Sequence, residues 1–490
     1  MSARWHLRSL VEGETSSRRG LALPTLLTAS LVLTGCMVGP DYNRPPVTQP
    51  DGFKSQAAKG DAPLIAPEWW RLYQEAELDQ LIATATASNQ TLQQAVAAVD
   101  QARALSRVAA SYLAPTISTN PTFTRERTSP NRKSTFSGQP VGVAATVNDW
   151  LVPVDLTYEI DVWGGLRRGL QSARAQAVAS ADDEALVRLT VQTDVAQYYY
   201  ALRFLDSQSE ILTQTVASYR EQVRILSVQV KTGLTSPIVL SQADALLQST
   251  VAQQRDVERA RADEEHALAI LCGQPAPSFS VAANPLREVS TPDVPAGLPA
   301  MLLTRRPDVA AAEQAVVASN AQIGVATAAF YPTFSLSSFV GFESANLSTL
   351  LNWQSRVASI IPGVTLPIFN RGRLKANLAA TRAQYRQTVA AYVNQVLTAY
   401  GDVEDALTDL HAYTDEIGNL RNAVTASQEY LRMAQTQYKL GLVDYLTVID
   451  AERTLLTNQL TLAQTVNLQV GAHIHLIKAL GGGWGASTNP

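Results

Sequence analysis

The sequence predicts an internally duplicated α+β membrane protein, with four transmembrane β-strands and long coiled-coil α-helices in each chain. The first observation is that the segment from Gly164 to Gly273 recurs without a gap at an offset of 208 residues. The second is a set of four short segments in which apolar and polar residues alternate. The third is a set of long segments without proline. Because the repeat is far longer than a solenoid unit, we interpret it as a duplicated half-protein.

The N-terminal residues are typical of an export signal. Leu21 to Leu33 is an apolar run that follows several arginines, and it is too short to cross a membrane as a helix. The run ends in Leu33-Thr34-Gly35-Cys36, which resembles the bacterial lipobox. This resemblance implies cleavage after residue 35 and a lipid on Cys36. Met37 follows where an aspartate would favour the inner membrane, so the resemblance implies the outer membrane.

Composition argues against several classes of function. Removing residues 1–35 leaves 455 residues with a net charge of −6, which does not favour nucleic-acid binding. Cys272 is the only other cysteine, and its apolar neighbours predict a packed side chain. His473 and His475 are two residues apart on a predicted helix, so their rings point to different sides and do not suit a shared metal. We find no motif for a metal, a nucleophile or a nucleotide, and we expect neither an enzyme nor a cofactor beyond the lipid on Cys36.

The four alternating segments are predicted to be strands at about residues 115–126, 149–161, 332–343 and 355–368. In the clearest of them, apolar residues from Trp150 to Ile160 lie on one face, and Asp155 and Glu159 lie on the other. An apolar face and an acidic face are typical of a strand that separates lipid from a wet lumen. A soluble sandwich is the alternative, but it normally has more strands and shorter gaps between them.

Four strands cannot close a barrel around a lumen. An unclosed sheet in lipid would leave backbone groups unpaired, so the barrel must be assembled from several chains. Two chains would supply eight strands and three would supply twelve, and only the larger number leaves an appreciable bore.

Long helices are predicted at Arg167–Lys231, Ile238–Leu271, Leu374–Lys439 and Leu446–Leu480. A helix of about 65 residues extends about 100 Å, so these helices must pack against one another as coiled coils. Glycine turns separate them at Thr232–Pro237 and Leu440–Asp444. The predicted organisation is a signal peptide at 1–35, a lipidated extended segment at 36–70, a first repeat at 71–273, a proline-rich linker at 274–300, a second repeat at 301–481 and a flexible tail at 482–490.

Several motifs carry a resemblance to a known family. They are Leu33-Thr34-Gly35-Cys36, Gly39-Pro40-Asp41-Tyr42, Glu68-Trp69-Trp70, Arg305-Arg306-Pro307-Asp308-Val309, Tyr438-Lys439-Leu440-Gly441-Leu442 and Lys478-Ala479-Leu480-Gly481-Gly482-Gly483-Trp484. In order and spacing the chain resembles the TolC-like outer membrane factors, in the lipoprotein branch that serves drug efflux systems. The resemblance covers essentially the whole mature chain.

The resemblance implies a homotrimer that is anchored by lipid in the outer membrane. Three chains would build a twelve-stranded β-barrel and an α-helical barrel in the periplasm, surrounded by a belt of smaller helices. The implied partners are a periplasmic adaptor protein and a proton-driven inner-membrane pump of the RND type. The implied function is passive conduction of drugs and other small amphiphiles to the outside.

The same resemblance implies a gate near the second glycine turn. Leu446, Asp450 and Arg453 are spaced to share one helix face, and the matching positions in the family line the periplasmic aperture. Tyr438 stands where relatives use a tyrosine to lock adjacent helices. Thr447 occupies a place where family members often carry a second acid, so a double acidic ring is not expected here.

The turns themselves resemble the surfaces that meet the adaptor end to end. The residues implied in this contact are Thr232, Gly233, Leu234, Thr235, Ser236, Leu440, Gly441, Leu442, Val443 and Asp444.

Two other functions fit parts of the sequence. An exit duct for secreted proteins or metal ions would keep the same architecture, although the lipid anchor and the few methionines and histidines favour it less. A lipid-anchored coiled-coil scaffold without a pore would explain the helices, but it would leave the alternating strands unexplained.

Overall fold

A computed structural model describes residues 37–54, 65–131, 142–286 and 299–484. The predicted signal peptide, Cys36 and the end of the predicted tail lie outside these described residues. The chain divides into two compact units. The sheet unit contains described residues up to Tyr42, Ser106–Ala173 and Ser319–Gln384, and the helical unit contains Asn43–Leu105, Arg174–Ala318 and the described residues from Tyr385 onward.

The main helices are α1 (Ala76–Ser88), α2 (Gln90–Ser111), α3 (Gly165–Lys231), α4 (Pro237–Leu271), α5 (Leu302–Arg305), α6 (Pro307–Ala328), α7 (Arg373–Lys439) and α8 (Tyr445–Ala479). The strands are β1 (Thr116–Ser118), β2 (Thr122–Arg127), β3 (Thr146–Ile160), β4 (Thr333–Ser344) and β5 (Arg356–Thr365). Short 3-10 turns occur at Trp69–Tyr73, Ala276–Ser278, Pro299–Met301, Leu347–Thr349 and Trp353–Ser355. The predicted class, α+β with long helices and an antiparallel sheet, is confirmed.

The sheet unit contains one antiparallel sheet in the order β1, β3, β4, β5, with β2 also paired to β3. In the β3–β4 register, Val154 lies opposite Val340, and Val152 lies opposite Phe342. Paired residues project to the same side, so the predicted apolar faces of the separate strands join into one. Val154, Val340 and Ile360 are exposed on this face, as expected of side chains that meet lipid.

The strand predicted at about residues 115–126 is interrupted, so the prediction of one continuous strand was wrong. β1 and β2 are separated by residues 119–121, which lie opposite Val152–Val154 of β3. Pro121 and Pro153 both fall in this gap, and neither has an N–H group to donate to the ladder. The hydroxyl of Thr119 instead donates a hydrogen bond of 2.6 Å to the carbonyl oxygen of Pro153.

A buried arginine fixes the extended N-terminal segment in the sheet unit. The Arg168 side chain is 2% exposed, and its guanidinium donates to Asp41 at 2.8 Å and to the carbonyl oxygen of Val38 at 3.3 Å. Asn320 donates a further bond of 3.0 Å to the carbonyl oxygen of Pro40. Hydrogen bonds from α3 and α6 therefore hold the Gly39-Pro40-Asp41-Tyr42 motif in place, although Gly39, Pro40 and Asp41 themselves are exposed.

The duplication extends beyond the segment in which the sequence revealed it. Helices α3 and α7 have 67 residues each, α4 and α8 have 35 each, and both pairs obey the offset of 208. Helix α6 begins and ends 217 residues after α2, and β4 spans the same interval after β1 and β2. The offset changes within the strand hairpins because the first hairpin has the longer connection.

In the helical unit, the buried side chains of Arg306 and Tyr73 connect separate helices. Arg306, at the start of α6, pairs with Asp308 at 2.6 Å and Asp402 at 2.9 Å, and it donates to the carbonyl oxygen of Ala479 at 3.1 Å. This arginine therefore joins α6, α7 and α8, which explains the Arg-Pro-Asp motif. The buried Tyr73 hydroxyl shares a hydrogen bond with the ring of His473, so this histidine has a packing role.

No helix within the described ranges combines the length and the low polarity that a membrane-spanning helix needs.

Candidate functional site

The helical unit contains two helical hairpins, α3 with α4 and α7 with α8, and a glycine turn of the same kind joins the helices of each. Gly233 has a φ of +73° and Gly441 a φ of +72°, a left-handed conformation that favours glycine. Leu234 N–H bonds the carbonyl oxygen of Gln229 at 2.8 Å, and Leu442 N–H bonds that of Gln437 at 2.9 Å. This Schellman pattern ends α3 and α7 and satisfies their last carbonyl groups.

The residue before each following helix caps it. Ser236 accepts a hydrogen bond from Ile238 N–H at 3.3 Å, and Pro237 supplies the fixed φ of the first turn of α4. Asp444 accepts from Thr447 N–H at 3.2 Å and caps α8. Thr447 therefore takes part in the cap, and its hydroxyl donates a second bond of 3.0 Å to the same carboxylate.

The turns present apolar side chains. Leu234 is 78% exposed, Leu440 68% and Leu442 70%. These are three of the residues predicted to meet an adaptor. The other predicted tip residues lie in the same two turns, where Thr232, Gly233, Ser236, Gly441 and Asp444 are exposed, and Thr235 and Val443 are half-buried.

A small core holds the ends of the two hairpins together. It contains Leu226 of α3, Ala243 of α4, Ala434 of α7, and Tyr445, Val448 and Ala451 of α8. Every one of the four long helices contributes to it, so the first turns of α8 have a defined position against α3.

The three predicted gate residues on α8 share a face that is exposed in the single chain. Leu446 is 50% exposed, and Asp450 and Arg453 are also exposed. The Tyr430 hydroxyl on α7 donates a hydrogen bond of 3.1 Å to Asp450, and this bond raises the pKa of Tyr430. The face is therefore set by contacts within its own hairpin and remains open to a further surface.

Tyr438, the predicted lock, links α7 to the neighbouring repeat. Its ring lies 5.3 Å from the ring of Tyr445, centroid to centroid, and its hydroxyl donates to Gln229 of α3 at 3.4 Å. The tyrosine thus contacts both the gate helix and the first repeat.

Sequence reasoning missed a buried polar chain behind the gate face. Tyr445 donates to Gln222 of α3, and Gln222 donates to Glu452. Glu452 is 6% exposed, whereas its neighbours Asp450 and Arg453 on the same helix are exposed. The spacing of Tyr445, Val448 and Glu452 places the glutamate on the apolar side of α8, and this was the available signal.

No group of three His, Cys, Asp or Glu side chains within the described ranges could hold a metal ion. The site consists of two capped turns with exposed leucines and of an exposed face of α8 that carries Leu446, Asp450 and Arg453.

The family model for outer membrane efflux proteins matches residues 81–274 and 298–482, which include both hairpins and their tips. This chain belongs to that family. The expected relationship to TolC-like outer membrane factors is therefore confirmed.

Curated relatives of this outer membrane efflux protein match nearly its whole length. The solvent efflux pump outer membrane protein SrpC of Pseudomonas putida is 32% identical over 468 residues, covering 94% of this chain and 98% of the relative. The cation efflux system protein CusC of Escherichia coli strain K12 is 30% identical over 460 residues, covering 93% and 98%. The family, the efflux function and the outer membrane location predicted from the sequence are confirmed.

Among solved structures, the fold of this efflux protein is similar to that of the Campylobacter jejuni CmeC outer membrane channel. The TM-score is 0.86 with 25% identity, and the match covers 93% of this chain and 96% of that one. The protein is thus an outer membrane channel, in a family of transport proteins. The roles of Cys36, the gate residues and the tip residues stay predictions.

Proposed function

We propose that this protein is the exit duct of a tripartite efflux pump, with a gate at the tips of its helical hairpins. A periplasmic adaptor would contact the tips, and a proton-driven inner-membrane pump of the RND type would supply the energy. The cargo would be drugs and other small amphiphiles, in keeping with relatives named for solvent and toluene efflux. The anchor would be a lipid on Cys36.

The exposed face of α8 is the observation that carries the gate proposal. Leu446, Asp450 and Arg453 form an exposed stripe and are not members of the buried cluster at the ends of the hairpins. In a closed ring of three chains, the three copies of Leu446 would make an apolar constriction, and the copies of Asp450 would add like charges. Passage would then require α8 to move.

The apolar tips support the proposed adaptor contact. Three leucines more than two-thirds exposed at two neighbouring turns are costly in water, and a partner that covers them would recover the hydrophobic free energy. Each turn contains a glycine in the left-handed conformation and leads into a capped helix. The shape of the turns is therefore defined before any partner binds.

The gate is tested by the double substitution Leu446→Ala with Asp450→Ala. Removing the side chains at the aperture should raise the single-channel conductance of the purified protein in planar bilayers. The matched control is Leu397→Ala with Asp405→Ala, which removes an exposed leucine and an exposed aspartate of α7. An unchanged closed state in the gate variant, or an equal rise in the control, would refute the assignment.

The cargo is tested by deletion in the native host. Loss of the protein should lower resistance to several unrelated amphiphilic compounds, and normal resistance should return with the intact gene. Unchanged resistance across a broad panel, combined with sensitivity to metal ions alone, would move the proposal to cation efflux.

A further inference from the structure

Glu452 is a buried acid beside the candidate gate. It is 6% exposed, although its neighbours Asp450 and Arg453 on the same helix are exposed. Each residue turns an α-helix by about 100°, so Glu452 shares a face with Tyr445 and Val448 and lies about a third of a turn away from the gate face. The same two turns of α8 thus carry the gate on one side and this acid on the other.

The acid belongs to a chain of side chains that crosses from α8 to α3. One oxygen of Glu452 accepts from the Gln222 amide nitrogen, and the Gln222 amide oxygen accepts from the Tyr445 hydroxyl. Gln222 therefore holds α8 at two points seven residues apart. Any movement of the gate face away from α3 must break this bridge or carry α3 with it.

Two buried oxygen atoms at the bridge lack a hydrogen-bond partner within the described part of the chain. They are the second oxygen of Glu452 and the hydroxyl of Tyr219 on α3. A carboxylate only accepts hydrogen bonds, whereas a protonated carboxyl also donates one. Protonation would let Glu452 donate to a neighbouring oxygen, but ionisation would leave a buried charge with one donor.

The groups around the bridge come from all four long helices. The titratable and charged ones are Tyr219 of α3, Tyr430 and Tyr438 of α7, and Tyr445, Asp450 and Arg453 of α8. The α4 residues that pack into the cluster are Val239, Leu240 and Ala243, which are apolar.

We propose that Glu452, Gln222 and Tyr445 form a latch, which holds the start of α8 against α3 and so keeps the gate face in its closed position. Glu452 is a positioning residue, because it acts on the gate through the helix and does not line the duct. The latch is firm when Glu452 is protonated and loosens when it is ionised. This inference rests on the proposed gate.

The charge state can change near neutral pH. Burial raises the pKa of Glu452 to about 7, although the hydrogen bond from Gln222 opposes that rise. Since the folded protein binds this proton more tightly than an unfolded chain, the stability of the helical tips falls as pH rises from the ordinary glutamate range toward 7. Above the folded-state pKa the loss is complete and stays constant.

The test compares the full-length channel in planar bilayers between pH 5 and pH 9. The wild-type closed-state conductance should rise across about two pH units centred near 7, because ionisation of one group spans that interval. Glu452→Gln keeps the shape and the bond to Gln222 but cannot ionise, so its conductance should stay low throughout. Glu452→Ala removes the bridge, and its conductance should be high throughout.

The matched control is Glu429→Gln on α7. Glu429 is exposed and paired with Arg432, and that pair lowers its pKa, so this variant should keep the wild-type pH profile. Identical profiles for wild type and Glu452→Gln would overturn the latch. If instead the Leu446→Ala and Asp450→Ala double variant also fails to conduct, the gate proposal itself fails, and the two failures are thereby distinguished.

Discussion

Arg168 shows how a single side chain can hold a segment that has no regular structure. Its guanidinium is buried and serves Asp41 and the carbonyl oxygen of Val38. We expect Arg168→Met to release the N-terminal segment and to lower the free energy of unfolding by about 1–3 kcal/mol, because hydrogen bonds from a charged donor are lost. The loss of its partner adds little cost at Asp41, because that carboxylate is already exposed to water. Limited proteolysis with mass spectrometry would detect faster cleavage within the released segment, which begins at residue 37.

The control for this substitution is Arg188→Met. Arg188 is exposed and pairs with the half-buried Glu184 one turn earlier on α3, and a helix pair at this spacing contributes about 0.5 kcal/mol or less. Equal protection of the segment in the Arg168 and Arg188 variants would contradict the assigned role.

The residues near the gate show which side-chain positions the sequence can predict and which contacts it cannot. The helical period alone placed Leu446, Asp450 and Arg453 on one face, and the structure agrees. It did not indicate that Asp450 bonds Tyr430 or that Glu452 bonds Gln222. Such pairs are set by the packing of separate helices, and a local pattern holds no information on which partner a side chain will meet.

At the scale of elements, the glycine turns end their helices by backbone conformation and not by crowding. An added methyl group at Gly441 would meet no atom within 4 Å, so only the positive φ opposes a side chain there. Gly441→Ala should therefore destabilise the helical unit by about 1 kcal/mol. The midpoint of chemical unfolding, followed by circular dichroism at the helical signal, would measure this.

Gly418 offers a control of opposite sign. It lies inside α7, and an added methyl group there also meets nothing within 4 Å. Gly418→Ala should stabilise the helix by about 0.5–1 kcal/mol, since alanine loses less backbone entropy than glycine. Shifts of the same sign in both variants would show that φ is not the deciding factor.

Helices were predicted more accurately than strands. The bounds of the four long helices agree with the structure within two residues, because proline-free segments between glycine turns leave little choice. The first strand was predicted as continuous, yet it breaks opposite Pro153. Alternation of apolar and polar residues predicts which face of a strand is apolar. It does not predict where a proline on the partner strand lacks the N–H group that the ladder needs.

At the scale of the whole molecule, the open sheet requires neighbours. β1 and β2 form one edge and β5 the other, and an unpaired edge in lipid is costly. We expect three mature chains to associate, so that each β5 pairs with the first strands of the next chain. Native mass spectrometry from detergent should give three times the mass of the lipidated 455-residue chain. A predominant monomer or dimer would contradict this arrangement.

Equal helix lengths in the two halves imply a rule about insertions. Both copies of the longest helix contain 67 residues, whereas the strand hairpins differ in length. One extra residue in α3 would turn everything beyond it by about 100° and advance it by about 1.5 Å, which would take Gln222 out of reach of Glu452. We therefore expect reading-frame-preserving insertions to be tolerated between residues 128 and 145 and to abolish function within the long helices, which epitope tags inserted at both kinds of position would measure.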